Sequence, residues 1–195
     1  MRVITGLAKG RRLLAVPGEG TRPITDRVKE SLFDILAGDV EGSVWLDLFA
    51  GTGGVGIEAL SRGAEQVVFV DKMRKAVEVL HKNLELTELS DNARTLCMDA
   101  FRYLHQAPVS YFDYIYVAPP QYFDLWAKAL AIIDERPLLH PDGLVIVQVH
   151  PKEVHPVTLA NLVQTQERRY GSTALLFFKS MQVKPDGEPT DASPD

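Results

Sequence analysis

Apolar positions along the chain change their spacing several times, and each change marks an element. Arg2-Val3-Ile4, the turn residues Gly6 and Gly10, Leu13-Leu14-Ala15 and the loop Pro17-Gly18-Glu19-Gly20 predict a short N-terminal hairpin or extended arm. Thr25 is suited to cap a helix. Val28, Leu32, Ile35 and Leu36 then recur on one helical face, and Gly38 is placed to stop it. From Ser43 onward, strands and helices alternate. Strands are expected at Val44–Phe49, Gln66–Val70, Asn92–Cys97, Phe112–Val117 and Leu144–Val149, the last reading as wholly apolar. Helices are expected at Ile57–Arg62, Met73–Leu86, from Asp99 through Leu104, and over Tyr122–Asp134. Apolar strands separated by helices indicate a parallel sheet covered on both faces. The end of the chain differs: Leu162–Arg169, the turn Tyr170-Gly171-Ser172 and Thr173–Lys179 read as a hairpin.

Composition narrows the class. The 195 residues suffice for one domain with one sizeable core. No apolar run approaches the roughly 18–20 residues that span a membrane, and the first residues show no signal-peptide pattern. A cytoplasmic protein is expected, most simply a monomer. The lone cysteine, Cys97, excludes an intrachain disulfide and reads as a small buried apolar residue. The five histidines have no ligand spacing, so no metal is expected. Residues 184–195 hold three prolines, four acids and no large apolar side chain, and read as a disordered tail. The net charge is −5, but residues 1–30 carry seven Lys/Arg against three acids. That segment is +4 and the remainder −9. A basic arm on an acidic body suits a local contact with a polyanion, or merely a solvated face.

The stretch Asp47-Leu48-Phe49-Ala50-Gly51-Thr52-Gly53-Gly54-Val55-Gly56 lies between a strand and a helix, where a nucleotide loop belongs. Glycine there lets the backbone approach a ligand. The spacing also satisfies the dinucleotide fingerprint, which alone fits NAD equally well. The acids favour S-adenosylmethionine. Asp47, at the strand end, can receive the amino-acid part of that cofactor and would repel a pyrophosphate. Asp71, ending the second strand, can accept both ribose hydroxyls. Asp99, after the third, can bond an adenine amino group, with Ala100 offering a backbone N–H. Helix N-capping is the competing role for Asp71 and Asp99.

The chain resembles the RsmD-type methyltransferases. The resemblance covers roughly residues 1–180. It rests on Arg2-Val-Ile-Thr-Gly6, Gly10-Arg11, Leu46–Gly53, Glu58–Ala64 and Tyr170–Leu175. Its most specific part is Arg22-Pro-Ile-Thr-Asp-Arg27-Val-Lys-Glu30 with Leu32-Phe33. It implies a Rossmann-like class I S-adenosylmethionine-dependent methyltransferase fold: an α/β domain over residues 1–183, with a seven-stranded, mostly parallel sheet closed by the C-terminal hairpin. It implies methylation of a guanine N2 in small-subunit ribosomal RNA. Arg22 and Thr25 would join Asp47, Phe49, Gly51, Gly53, Asp71, Lys72, Asp99 and Ala100 at the cofactor. Lys9, Arg11, Arg12 and Arg27 would contact RNA, the arginines of the arm through phosphates.

The chain departs from the family after the fourth strand. Asp-Pro-Pro-aromatic is replaced by Ala118-Pro119-Pro120-Gln121. In the family pattern the Asp and a backbone carbonyl orient the amine, and the aromatic ring stacks on the flipped base. Here the catalytic set would be Ala118, Pro119, Pro120, Gln121 and Tyr122, with backbone carbonyls retained and Tyr122 available for stacking. Three functions follow as expectations: an active rRNA guanine-N2 methyltransferase, a weak or inactive relative that binds cofactor and rRNA, and a methyltransferase for another acceptor.

Overall fold

The computed structural model describes residues 1–16 and 24–181; Arg22 and the tail expected over 184–195 lie outside them. In chain order the elements are α1 (Asp26–Leu36), β1 (Val44–Leu48), α2 (Gly56–Ser61), β2 (Gln66–Asp71), α3 (Arg74–Thr87), β3 (Ala93–Cys97) and α4 (Ala100–Gln106). They continue with β4 (Phe112–Val117), α5 (Leu125–Glu135), β5 (Leu139–Val149), β6 (Leu162–Tyr170) and β7 (Thr173–Ser180). The seven strands form one sheet in the order β3-β2-β1-β4-β5-β7-β6. The first five are parallel, and β7 runs antiparallel to both β5 and β6. The chain reverses its direction of travel across the sheet between β1 and β4. Ligands of open α/β sheets bind at such a switch point, beyond the carboxyl ends of the strands.

Side-chain alternation divides the core in two. Trp45, Tyr114, Tyr116, Ile146 and Phe177 face the layer that contains α1, α2, α3 and the arm. Leu46, Leu48, Ile115, Val117 and Phe178 face α4 and α5. Trp45 stacks between Phe33 of α1 and Tyr114 of β4, with ring centroids 5.6 and 4.6 Å away. Thr25 caps α1 by accepting the Val28 N–H at 3.3 Å, as its sequence position suggests. The reversal after α1 falls on Ala37, at φ 49°, one residue before Gly38.

Two expectations need correction. The helix expected over Tyr122–Asp134 begins only at Leu125. Pro119 and Pro120 lack N–H donors, and Tyr122 and Asp124 adopt left-handed φ values of 68° and 52°. The Tyr122 N–H is taken by Glu153 Oε1 at 2.5 Å instead of by a helix. Cys97 is exposed. It lies on β3, the edge strand, which has only partial cover.

The arm is pinned to the body by a buried charge. Glu58 of α2 is fully buried and accepts the backbone N–H groups of Ile4 and Thr5 at 2.7 and 3.0 Å. It also pairs with Lys29 of α1 at 3.1 Å and with Arg62 at 2.9 Å. Lys29 is equally buried and donates to the Arg2 carbonyl at 2.6 Å. Desolvation lowers the Lys29 pKa and Glu58 opposes that shift. Arg62 also lies 4.6 Å over the Phe33 ring. Removing one partner of such a cluster leaves an uncompensated buried charge, at a cost of about 3–5 kcal/mol. Glu58→Ala is therefore expected to lower the unfolding free energy in urea by about that amount. Lys29→Met should cost clearly less, because Glu58 keeps Arg62 and both amides. A Glu58→Ala loss no larger than that of Lys29→Met would contradict this role.

Candidate active site

The loop from Phe49 to Gly56 leaves β1 and enters α2. Its glycines have separate causes. At Gly56 an added Cβ would lie 2.2 Å from Cε1 of Phe69, and at Gly53 2.3 Å from Cδ1 of Leu80. Those two are small because the loop packs onto β2 and α3. Gly51, at φ 54°, is the position whose missing side chain faces open space, with nothing within 4 Å. It is where the backbone lies bare to a ligand. Phe49 is also left-handed, at φ 64°, and its ring meets Phe101 edge-on at 6.0 Å.

The three acids lie at the carboxyl ends of adjacent strands and line one cavity. Asp47 is buried and accepts the Gly56 N–H at 3.0 Å. Burial pushes its pKa up to about 8; the Gly56 bond opposes this and the charge of Asp71 adds to it. Asp71 accepts from Gly51 N through one oxygen and from Met73 N through the other, both at 2.8 Å. It thereby ties the glycine loop to the start of α3. Asp99 does cap α4, accepting from Arg102 N at 3.0 Å. Capping occupies Oδ1 and leaves Oδ2 for a ligand, so the two roles coexist. Ala100 is the first residue of α4, where a backbone N–H has no helical partner.

The cavity has a volume of about 1310 Å³. A single small ligand typically occupies ~300–1,000 Å³, so there is room for two groups. Gly51, Phe49, Lys72 and Ala100 line it. So do Ala118, Pro119, Pro120, Gln121 and Tyr122 from the end of β4. Among the described residues, no backbone donor bonds the carbonyl of Ala118 or Pro119. Tyr122 and Phe123 are 68% and 66% exposed, an unusual pair of open aromatic rings at the mouth. The arm supplies a further wall through Met1, Leu13, Leu14, Ala15 and Val16, followed by Ile24 and Thr25.

Several residues escaped the sequence reading. Phe123 is one, although an aromatic residue three places after Pro120 was a visible signal. Tyr116 and Gln148 are others, bonded to each other at 2.5 Å on the cavity floor. Gln148 is the one polar residue in a strand expected to be wholly apolar. Lys29 and Glu58 fall in blocks that carry the family resemblance, but the local pattern gives no sign that they are buried together, since a charge in a helix normally reads as surface.

The expected RNA contacts are dispersed. Lys9, Arg11, Arg12 and Arg27 are all exposed, and only Arg27 lines the cavity. Arg11 is engaged within the fold, pairing with Glu88 at 2.7 Å and donating to the Leu86 carbonyl. Arg2 pairs with Asp26 at 3.2 Å and Lys29 is buried, so the arm offers fewer free cations than its composition suggests. Among the described residues no helix is long and apolar enough to cross a membrane, and no group of three or more His, Cys, Asp or Glu is placed to hold a metal ion.

Comparison with known proteins places this geometry in a family. The model of the family described as "Conserved hypothetical protein 95" matches residues 1–179. YlbH of Bacillus subtilis is 43% identical over 182 residues, covering 92% of this chain and 98% of its own. Ribosomal RNA small subunit methyltransferase D of Haemophilus influenzae is 33% identical over 182 residues, covering 92% and 94%. The chain belongs to the RsmD-type methyltransferase family. Among solved structures, yhhF from Escherichia coli superposes with a TM-score of 0.82 at 31% identity, covering 93% of this chain and 99% of that one. An RNA methyltransferase from Salinibacter ruber, in complex with S-adenosyl-L-homocysteine, shares the fold at 17% identity with a TM-score of 0.63, covering 85% and 98%. The class I methyltransferase fold, with its antiparallel C-terminal hairpin, is thus shared.

Burial of Asp47 has a consequence for stability. Its folded pKa lies near 8 against an ordinary 3.8, so between those values the native state holds a proton that the unfolded chain lacks. The stability that Asp47 contributes therefore falls as pH rises from about 4 towards about 8 and levels off above. Thermal melts of ligand-free protein across this window should show that decline, and Asp47→Asn should flatten it. An identical slope in the variant would assign the decline to other groups.

Proposed function

We propose that this RsmD-type protein is an S-adenosylmethionine-dependent methyltransferase of small-subunit ribosomal RNA, acting on the exocyclic N2 of a guanine. The observation that carries the reading is that the three strand-end carboxylates and the Ala118-Pro119-Pro120 turn open into one cavity. The names of the curated relatives support rRNA as the substrate.

The residues present fit the cofactor. Asp71 keeps a free lone pair on each oxygen after accepting its two N–H bonds, enough for two ribose hydroxyls. Asp99 Oδ2 and the Ala100 N–H form an acceptor–donor pair suited to an adenine edge. Asp47, once ionised, pairs with an ammonium group; a cation beside it reverses the effect of burial. When bound, the cofactor supplies a methyl group on positively charged sulfur.

The protein's task is then largely orientation. The carbonyls of Ala118 and Pro119 accept the amine hydrogens and aim the nitrogen lone pair. Tyr122 and Phe123 are placed to stack on an extruded base. Methyl transfer to the neutral amine leaves the positive charge on nitrogen, and that ammonium-like cation is acidic and loses its proton readily to water, so alignment matters more than a general base.

Ala118 favours a second reading, a catalytically weak relative that binds cofactor and rRNA. Loss of one preorganised contact costs about 10²–10³ in rate in comparable sites. Tritium transfer from labelled cofactor to unmodified small subunits, followed by nucleoside analysis, tests both. The expected result is label in N2-methylguanosine with the wild-type chain, and lower transfer by the Ala118→Asp, Gln121→Phe double variant because the native turn is adapted. No label with the wild type and a large gain with the double variant would select the weak relative.

A further inference from the structure

Asp47, Tyr116 and Gln148 form a polar row across the cavity floor. Asp47 of β1 is directly opposite Tyr116 of β4, and Tyr116 is opposite Ile146 of β5. Gln148 lies two residues beyond Ile146, so its side chain leaves the same face of the sheet. All three line the cavity in an otherwise apolar layer.

Their hydrogen bonding gives the row a polarity. Tyr116 is buried, and its desolvation keeps the phenol protonated. Its hydroxyl donates to Gln148 Oε1 at 2.5 Å. With the carbonyl end of the carboxamide held there, the NH₂ group is turned away from Tyr116. No protein group among the described residues accepts from it. A half-buried amide on a cavity floor therefore presents two N–H donors to whatever occupies the space.

Gln148 is one strand away from the amine-binding turn. Val117 pairs with Val147, which brings Gln148 level with Ala118 across neighbouring strands. Adjacent strands are ~4.8 Å apart. That spacing matches the Watson–Crick edge of a guanine from its N2 amine to its O6 carbonyl. Acceptors on β4 would meet the donor end of the edge, and a donor on β5 the acceptor end. A base with an amino group at both ends would leave the Gln148 NH₂ facing another donor.

We propose that Gln148 is a specificity-determining residue, donating a hydrogen bond to O6 of the target guanine, and that Tyr116 is the positioning residue that fixes its amide. The proposal rests on the guanine-N2 reading above.

The test uses the full chain, small ribosomal subunits lacking the modification and labelled S-adenosylmethionine. Gln148→Glu keeps the side-chain volume and an acceptor for Tyr116 but removes the NH₂ group; it is assayed from pH 7 to pH 9, because a carboxyl still protonated at the lower pH could donate in its place, and the reading is taken at pH 9, above the value to which burial pushes Asp47. Gln148→Met removes both. The expected result is a fall of about 10- to 100-fold in kcat/KM for RNA with both variants, the range for one base contact. The melting temperature and the Kd for S-adenosyl-L-homocysteine should stay near wild type. Tyr116→Phe should show a smaller fall, since its amide is free but not fixed. Were Gln148 only a prop for Tyr116, Gln148→Glu would methylate normally. Transfer within about threefold of wild type by either Gln148 variant overturns the proposal. Absence of transfer by the wild type, with cofactor still bound, instead overturns the functional reading itself.

Discussion

The structure depends on one buried carboxylate. Glu58 projects from the helix that follows the glycine loop and takes four partners: two arm amides, Lys29 and Arg62. Through them it joins the arm, α1 and α2 into one unit, and Lys29 reaches on to the Gly54 carbonyl at 3.4 Å. The hydrophobic effect can hold apolar layers together but does not fix their register, because it is non-directional. A fully desolvated ion pair with complete hydrogen bonding does fix it, since misplacement leaves charge without a partner. The arm residues that wall the cavity are held in place by this requirement.

The sheet supplies the second constraint. A switch point between β1 and β4 leaves a crevice beyond the strand ends, and successive strands deliver Asp47, Asp71, Asp99 and Ala118 to its rim. Depth then differentiates the acids. Asp71 and Asp99 remain accessible enough to keep lone pairs for hydroxyl and amine groups. Asp47 is sealed beneath the loop, so a neutral carboxyl and an anion are close in energy near neutral pH. A cationic ligand arriving there is met by a group that becomes its counter-ion on binding.

Much of this was legible in the residues. The strand–loop–helix alternation, the hairpin and the three strand-end acids follow from periodicity and turn chemistry, which act locally. Ligand approach explains only part of the glycine loop: of Gly51, Gly53 and Gly56, Gly51 alone lines the cavity, while Gly53 and Gly56 are small because Leu80 and Phe69 occupy the volume. That is packing between distant segments, which no local pattern encodes. The same applies to Lys29, counted as part of a basic face yet buried against Glu58, twenty-nine residues along the chain. Gln148 was hidden by apolar neighbours, although an amide within such a run is itself a signal. The apolar spacing predicts a helix that extends through Tyr122. The actual loop is set by two prolines and by Glu153 from another part of the chain.

If S-adenosylmethionine occupies this cavity as proposed, Asp47 is the counter-ion of its ammonium group. Isothermal titration of the cofactor at pH 7, repeated in buffers of different ionisation enthalpy, tests it most directly. With a pKa near 8, Asp47 is mostly protonated in the free protein. Asp47 should therefore lose most of a proton on binding at pH 7, offset slightly by proton uptake at the ligand's amine, so net release is expected, and Asp47→Asn should bind more weakly with no release. Absence of binding, or equal affinity and equal proton release in the variant, would contradict the account.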